Sequence, residues 1–210
     1  RIWTHNDSDD ISLYALDTVN IIPFESYPLS GMVNNDWEEI SEDNEYIYIG
    51  DIGNNQNGNR RDLKIIRVEK NSLLENSPLI DSICFSYSDQ SDFEATGFSN
   101  TDFDCEAFIV SDDSIYLFTK QWISNGTGIY SLPKRPGTYT ANLRSVYDSK
   151  GLITGAAYLG SKNLLALLGY SREMDPFIIL LYDFRNSDFL NGNKRKLTLS
   201  LPFHQTEGIS

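Results

Sequence analysis

Two short acidic motifs hold the residues in this sequence that are best suited to chemistry. Asp36 and Glu38 form one pair, and Asp104 and Glu106 form a second pair with the same spacing. Residues two apart in a β-strand point to the same side, so each pair places two carboxylates on one face. Carboxylates that converge from separate strands repel one another unless they take up protons or share a cation. Together with Glu207, these acids are predicted to bind a hard cation such as Ca²⁺.

A purely structural role for the same acids is the alternative. Buried carboxylates commonly accept hydrogen bonds from neighbouring backbone N–H groups. A third segment lines up with the two acidic motifs, and it carries Gly155 where the others carry glutamate. This interruption of the acidic set favours the structural alternative, and both remain open at this point.

The two histidines of the chain are the only other residues that suggest proton transfer. His5 and His204 could act as a base and its orienting partner in hydrolysis, with a metal held by Glu38 and Glu106. A metal-dependent hydrolase of phosphoester or lactone type is therefore one hypothesis for the function. The sequence contains no Gly-x-Ser-x-Gly elbow that would indicate a serine nucleophile. The alternative is that both histidines lie on the surface without a catalytic role.

These acids belong to a repeated pattern. Residues 36–50, 104–118 and 153–167 align without gaps, and each reads as a strand, a polar turn and an apolar strand. Residues 206–210 begin the pattern a fourth time. The positions of Glu38, Glu106, Gly155 and Glu207 are 68, 49 and 52 residues apart. Such periods are typical of β-propeller blades, which contain four antiparallel strands.

The sequence thus predicts an all-β fold, a β-propeller with four-stranded blades. The simplest count is five blades, six also fit, and the pattern suggests that the chain is cut at both ends. The predicted blades span residues 1–33, 34–100, 101–150 and 151–203, with 204–210 starting the last. A β-sandwich is the alternative, although a sandwich has no reason to repeat.

Further strands are predicted from apolar patterning on either side of these hairpins. They cover residues 2–4, 12–16, 20–24, 63–68, 82–87, 128–132, 138–143, 177–182 and 196–201. Cys84 falls on an outermost strand and Cys105 on an innermost one. We therefore expect two buried, reduced thiols and no disulfide.

In an antiparallel blade, the loop between the second and third strands lies at the same end as the entry to the first strand. That end collects polar residues in every predicted blade, and we expect it to bind a ligand or a protein partner. The predicted binding residues are Asn6, Asp7, Asp51, Asn54, Asn55, Arg60, Lys120, Trp122, Tyr170 and Arg172.

Composition limits the classes of partner. The chain has 17 Lys and Arg against 30 Asp and Glu, a formal net charge of −13. This charge disfavours nucleic acid and anionic membrane surfaces. No apolar run reaches the roughly 20 residues that a membrane helix needs. We expect a monomer that is secreted, periplasmic or displayed at the cell surface; a structural segment of a larger cell-surface protein is a further hypothesis.

The motif Asp-x-Glu-x-Ile at residues 36–40, with Gly50-Asp51 closing the next strand, resembles a group of bacterial propellers. The group includes the phytase-like esterase-activity domain and the SdiA-regulated proteins. Residues 207–209 resemble the same motif, whereas Ala107 departs from it. Residues 3–8 also look like the opening of uncharacterised secreted propellers of Bacteroidetes-type bacteria. The resemblance implies an exported, calcium-binding propeller and identifies no catalytic residue.

Overall fold

The computed structural model describes residues 2–17, 19, 22–75, 77–201 and 203–209. In these residues the chain is all-β, with strands joined by tight turns and by longer loops. One short helix, α1 (Lys70–Leu74), and one 3-10 turn, Gly160–Lys162, interrupt the strands. The strands are β1 (Ile2–Thr4), β2 (Ser12–Leu16), β3 (Pro23–Pro28), β4 (Trp37–Glu42), β5 (Tyr46–Asp51), β6 (Lys64–Glu69), β7 (Ile80–Tyr87), β8 (Asp104–Val110), β9 (Ser114–Lys120), β10 (Thr127–Pro133), β11 (Gly137–Tyr147), β12 (Leu152–Leu159), β13 (Leu164–Tyr170), β14 (Pro176–Tyr182) and β15 (Asn193–Thr198).

The strands form a series of antiparallel meanders. Unit 1 is β1–β3, unit 2 is β4–β7, unit 3 is β8–β11 and unit 4 is β12–β15. Within every unit, strands that follow one another in sequence pair side by side, because short turns join antiparallel neighbours most easily. Units 2 and 3 are also joined edge to edge, since β7 and β11 pair in parallel and merge the two units into one eight-stranded sheet.

Hydrophobic clusters connect each unit to the next. Leu13 of unit 1 belongs to a cluster with Trp37 of unit 2. Unit 2 packs on unit 3 through residues such as Phe85 and Phe108, and unit 3 packs on unit 4 through residues such as Phe118. The first strand of unit 3, β8, lies against both β4 and β12. The first strands of units 2, 3 and 4 are therefore neighbours.

Most of the predicted strands are confirmed, and two are displaced. The strand predicted at 20–24 is wrong: the structure places β3 at Pro23–Pro28, and residues 20 and 21 lie outside the described residues. Proline is tolerated at the first position of an edge strand, where no ladder N–H is required, so Pro23 begins β3 rather than ending it. The strand predicted at 196–201 runs instead from Asn193 to Thr198.

The two cysteines lie on neighbouring units. Cys105 is buried on β8, whereas Cys84 on β7 is partly exposed, so the prediction of two buried thiols is wrong for Cys84. Both thiols are free. Cys84 lies on the outer strand of its unit, beside the edge that pairs with β11. Its exposure follows from that outer position.

Candidate functional site

A β-bulge occurs at the same place in three first strands. The pairing of β4 with β5 shifts between Trp37 and Ile40, that of β8 with β9 between Cys105 and Ala107, and that of β12 with β13 between Ile153 and Gly155. A bulge inserts one extra residue, bends the strand and redirects a side chain. The residues at the bulges are Glu38 with Glu39, Glu106, and Thr154.

The bulges correct the sequence alignment in unit 4. Ungapped alignment matched Gly155 to Glu38 and Glu106, whereas the strand pairing matches Thr154 to them. The error arises because the hairpin of unit 4 is one residue pair longer than that of unit 3. Thr154 is buried, and its hydroxyl donates to the carbonyl of Thr206. A polar residue therefore stands at the bulge in all three units.

The bulge residues line a single cavity, which we call the acidic cleft. Its volume is about 530 Å³. Its walls comprise residues 2–7, 37–40 and 207–209 together with Glu106 and Thr154. The cleft thus collects five acidic residues, namely Asp7, Glu38, Glu39, Glu106 and Glu207. No described lysine or arginine lines it.

Glu106 forms a buried ion pair. The Nζ of Lys120 donates to Glu106 Oε1 at 2.5 Å, and the two side chains are 2% and 7% exposed. The ammonium also lies 4.6 Å from the ring centroid of Trp122 and 5.3 Å from that of Tyr170. Burial and the nearby Asp104 raise the pKa of Glu106, while Lys120 opposes the rise. The pair carries little net charge into the cleft.

Asp104 is held by hydrogen bonds inside the fold. Its Oδ1 accepts from the backbone N–H of Asn54 at 2.7 Å, and its Oδ2 accepts from Trp122 Nε1 at 2.7 Å. Burial raises the pKa of Asp104, and these two donors oppose the rise. Asp104 is fully buried, and its two hydrogen bonds connect the loop after β5 to unit 3. Its carboxylate is therefore not exposed to solvent or to a ligand.

Asp36 and Glu38 converge on Gly53. A Cβ added to Gly53 would lie 2.2 Å from Asp36 Oδ2 and 2.6 Å from Glu38 Oε1, so the two acid oxygens are close neighbours. Neither carboxylate is hydrogen-bonded or ion-paired to another described side chain. Burial, then the charge of Asp104, raises the pKa of Asp36 to about 6. Burial and the charges of Glu106, Asp104 and Asp36 raise the pKa of Glu38 further.

Glu39 connects unit 2 to unit 4. Its Oε2 accepts from the backbone N–H of Ala156 at 3.0 Å, and its Oε1 accepts from the N–H of Ile40 at 3.1 Å. The side chain is 7% exposed, and burial raises its pKa to about 8 against the effect of the two N–H donors. Glu39 therefore has a structural role, which is the alternative that the sequence left open for the acids of this motif.

The loop between β5 and β6 is held in place by ion pairs and hydrogen bonds among its own residues and those that flank it. Asp51 is fully buried and accepts from Arg60 Nη2 at 2.7 Å and Lys64 Nζ at 2.6 Å. Arg60 Nη1 also donates to the Gly53 carbonyl at 2.7 Å, and Asn54 Oδ1 accepts from the Arg60 N–H at 3.0 Å. Three of the predicted binding residues, Asp51, Asn54 and Arg60, thus use their polar groups to shape this loop.

The other predicted binding residues lie at the same end of the units, most of them outside the acidic cleft. Asn6 Nδ2 donates to Asp10 Oδ2 at 2.8 Å. Asn55 accepts through its carbonyl from the N–H of Ser99 at 2.7 Å. Arg172 Nη2 donates to the Trp122 carbonyl at 2.6 Å. Of the ten residues predicted to bind a ligand, only Asn6 and Asp7 line the acidic cleft; Tyr170 and Lys120 are buried beneath it.

The two histidines occupy different environments. His5 lines the acidic cleft, and its ring lies edge-on to Trp37 with 5.7 Å between centroids. Burial lowers the pKa of His5, although hydrogen bonds to the backbone of Asn6 and Glu38 oppose this. His204 is exposed and does not line the cleft. The structure therefore does not join the two histidines at one site.

Sequence reasoning missed two residues of the cleft, Trp37 and Thr154, and also Gly53, which the acids Asp36 and Glu38 approach. Trp37 stands between the two acids of its motif, is fully buried and leaves its Nε1 without a hydrogen-bond partner among the described residues. Thr154 was hidden by the alignment error, and Gly53 was taken for ordinary turn chemistry. For Trp37, the one available signal in the sequence was its position between two acids at the start of a strand.

The described residues contain no group of three or more His, Cys, Asp or Glu side chains placed to hold a metal ion. Two of the predicted ligands are already engaged, Asp104 by N–H donors and Glu106 by Lys120. Glu207 accepts a hydrogen bond from Gln205 Nε2 at 2.8 Å. Asp36 and Glu38, which remain, are too few for Ca²⁺, which takes six to eight oxygen ligands. The donor set therefore does not fit a calcium site built from these side chains alone.

Comparison with protein families and with curated proteins finds no family model that matches the chain and no similar curated protein. Within the part of the chain that the structure covers, no helix has the length and apolar character needed to cross a membrane.

Proposed function

We propose that the four units are blades of a β-propeller. Three features support this: the units follow one another face to face, each is an antiparallel meander, and the first strands of units 2, 3 and 4 are neighbours. Residues 206–209 lie beside β12, with the Cα of Gly208 3.5 Å from the position of a Cβ on Gly155. In the proposed propeller, this is the position that a further first strand takes. The predicted count of five blades stays a prediction.

The function we propose is binding of a ligand in the acidic cleft. The observation that carries this proposal is the delivery of Glu38, Glu106 and Thr154 by three equivalent bulges into one cavity of about 530 Å³. This volume falls within the range of small-molecule sites. Bulges are found next to functional sites because they redirect side chains at some cost to the ladder.

Thermal unfolding with candidate ligands, followed by calorimetry, tests the proposal. A ligand that occupies the cleft should raise the melting temperature, because it binds only the folded state. The shift should disappear in Glu38→Gln and persist in Glu173→Gln, a matched change at an exposed glutamate outside the cleft. A shift of equal size in both variants would place the ligand elsewhere and contradict the proposal.

Calcium belongs in the same experiment. Asp36 and Glu38 bring two acid oxygens together, so an ion that keeps several of its waters could bridge them. Titration with CaCl₂ and with chelator checks this, and loss of the calcium effect in Glu38→Gln is the expected result if the ion binds here.

The hydrolase hypothesis, export and the role as a segment of a larger cell-surface protein stay predictions.

A further inference from the structure

Units 2 and 3 carry the same acid at the same bulge, but only unit 3 supplies a cation for it. Trp37 pairs with Asp51 in unit 2 as Cys105 pairs with Thr119 in unit 3. The residue that follows the partner on the second strand is Ile52 in unit 2, after Asp51, and Lys120 in unit 3, after Thr119. Glu106 therefore meets an ammonium, whereas the position that would provide one for Glu38 holds a buried isoleucine.

The surroundings of Glu38 do not compensate for this missing charge. The charged groups that act on it are Glu106, Asp104 and Asp36, which are acids, and Lys120, which is already bonded to Glu106. Glu38 lines the acidic cleft, so its carboxylate is open to a group that enters from solvent. An incoming cation would complete in unit 2 the ion pair that unit 3 makes internally.

A second observation points to a ligand in the same place. The indole of Trp37 is fully buried, lines the cleft and has an Nε1–H without a partner among the described residues. Buried polar groups are nearly always hydrogen-bonded, to protein or to ordered water, so this N–H needs an acceptor that the described side chains do not supply. Trp37 thus needs a hydrogen-bond acceptor, and it lines the same cleft as Glu38.

Building on the proposed function, we infer that the acidic cleft binds an aliphatic primary ammonium that also carries an oxygen acceptor, as a lysine residue of a peptide does. The ammonium pairs with Glu38 as Lys120 pairs with Glu106, and the acceptor meets the Trp37 N–H. The aromatic walls, Trp3, His5 and Trp37, give the carbon stem an apolar surface. No described lysine or arginine lines the cleft, so none of these side chains competes with the ligand there.

Binding of the ammonium is linked to loss of a proton. Burial and the neighbouring acids favour the protonated form of Glu38, and a bound cation favours its ionised form. Complex formation at neutral pH should therefore release a proton from the protein. Affinity should rise as the pH rises, as long as the ligand amine stays charged.

Calorimetry with two matched probes tests the inference. Nα-acetyl-lysine amide has the ammonium and the carbonyl oxygens, and Nα-acetyl-norleucine amide has the same carbonyls and an uncharged side chain. We expect saturable binding of the lysine probe with proton release into the buffer, and binding at least about tenfold weaker for the norleucine probe. The lysine probe should bind Glu173→Gln like the native chain and Glu38→Gln about tenfold more weakly or not at all.

A second variant tests the internal comparison directly. Ile52→Lys gives unit 2 the lysine that unit 3 has, and its ammonium should occupy the Glu38 carboxylate and block the probe. Circular dichroism establishes whether this variant is folded; if it is not, the Glu38→Gln titration decides the matter alone.

The outcomes separate this inference from the proposed function. Equal binding of the two probes, or lysine binding unchanged in Glu38→Gln, overturns the ammonium site. Binding of calcium or another ligand that depends on Glu38, without any binding of the lysine probe, also overturns it and leaves the proposed function standing. No ligand of any class that depends on Glu38 overturns both.

Discussion

At the end of the units that carries the hairpin turns, Asp43 accepts hydrogen bonds from Tyr48 at 2.8 Å, Lys134 at 3.0 Å and two backbone N–H groups. At the opposite end, Glu38 accepts none from the described side chains. Burial would raise the pKa of Asp43, but its donors lower the pKa to about 2. The pKa of Glu38 moves the other way because burial acts without donors.

The cavities at the two ends differ in the same way. The turn end opens into a cavity of about 1070 Å³, twice the volume of the acidic cleft, whose walls include Arg67, Lys134 and Arg135 beside its acids. Arg67 is bound to Asp81 through two hydrogen bonds of 2.6 and 2.7 Å. Size alone therefore does not mark the binding site. The smaller cavity is the better candidate because one of its acids, Glu38, has no partner among the described side chains.

The largest expected effect concerns the buried ion pair between Lys120 and Glu106. Lys120→Met should destabilise the fold by about 3–5 kcal/mol, because it leaves the buried Glu106 without its counter-ion. Equilibrium unfolding in urea measures the loss. The double variant Lys120→Met/Glu106→Gln should regain part of it. A loss below about 1 kcal/mol in the single variant would mean that the pair behaves like a surface contact.

Glu39 should make stability depend on pH. In the unfolded chain it ionises near its ordinary pKa of 4.5, whereas in the fold it keeps its proton until about pH 8. The folded state thus binds the extra proton in this window, and stability should fall as the pH rises, by up to about 1.4 kcal/mol per pH unit. Urea unfolding at several pH values should show a flatter profile for Glu39→Gln. Identical slopes in the two proteins would contradict this.

Gly53→Ala tests the close approach of the two unpaired acids. The added Cβ would collide with the carboxylates of Asp36 and Glu38, and we expect a loss of about 1–3 kcal/mol. Gly208→Ala is the matched control, because a Cβ there meets no atom within 4 Å. The melting temperatures of the two variants give the comparison. An unchanged melting temperature in Gly53→Ala would show that the two acids can separate freely.

The smallest effect is expected at the turn end. Lys134→Met removes one of four donors to Asp43, and both partners are 23% exposed. The remaining donors keep the carboxylate satisfied, so we expect a loss of about 1 kcal/mol or less in urea unfolding. A loss as large as that of Lys120→Met would remove the contrast between the two ends.

Much of the fold could be predicted from patterns that involve residues close together in the sequence. Alternating apolar residues and polar turns predicted the three hairpins of units 2, 3 and 4, since the period of two and the turn residues are local properties. The position of β3 was missed because Pro23 can end or begin an edge strand. The parallel pairing of β7 with β11 was not anticipated, because it joins strands about 55 residues apart in sequence.

The candidate site was predicted less well, and for a physical reason. The sequence singled out Asp36, Glu38, Asp104 and Glu106 as one class. The structure separates them: Asp104 is bonded to backbone and indole N–H groups and Glu106 to Lys120, whereas Asp36 and Glu38 have no partner among the described side chains. Residue type and spacing show which side of a strand an acid faces. They do not show which donor from another strand reaches it.

The sequence by itself determined the all-β character, the hairpin repeat and the concentration of acids at one end of the units, because each follows from the order of apolar and polar residues along a strand. Only the tertiary structure decided which acid is neutralised, that Thr154 rather than Gly155 stands at the third bulge, and that Trp37 lines the cleft. Those outcomes depend on strand register and on contacts between units, where a shift of one residue changes the partner of every side chain.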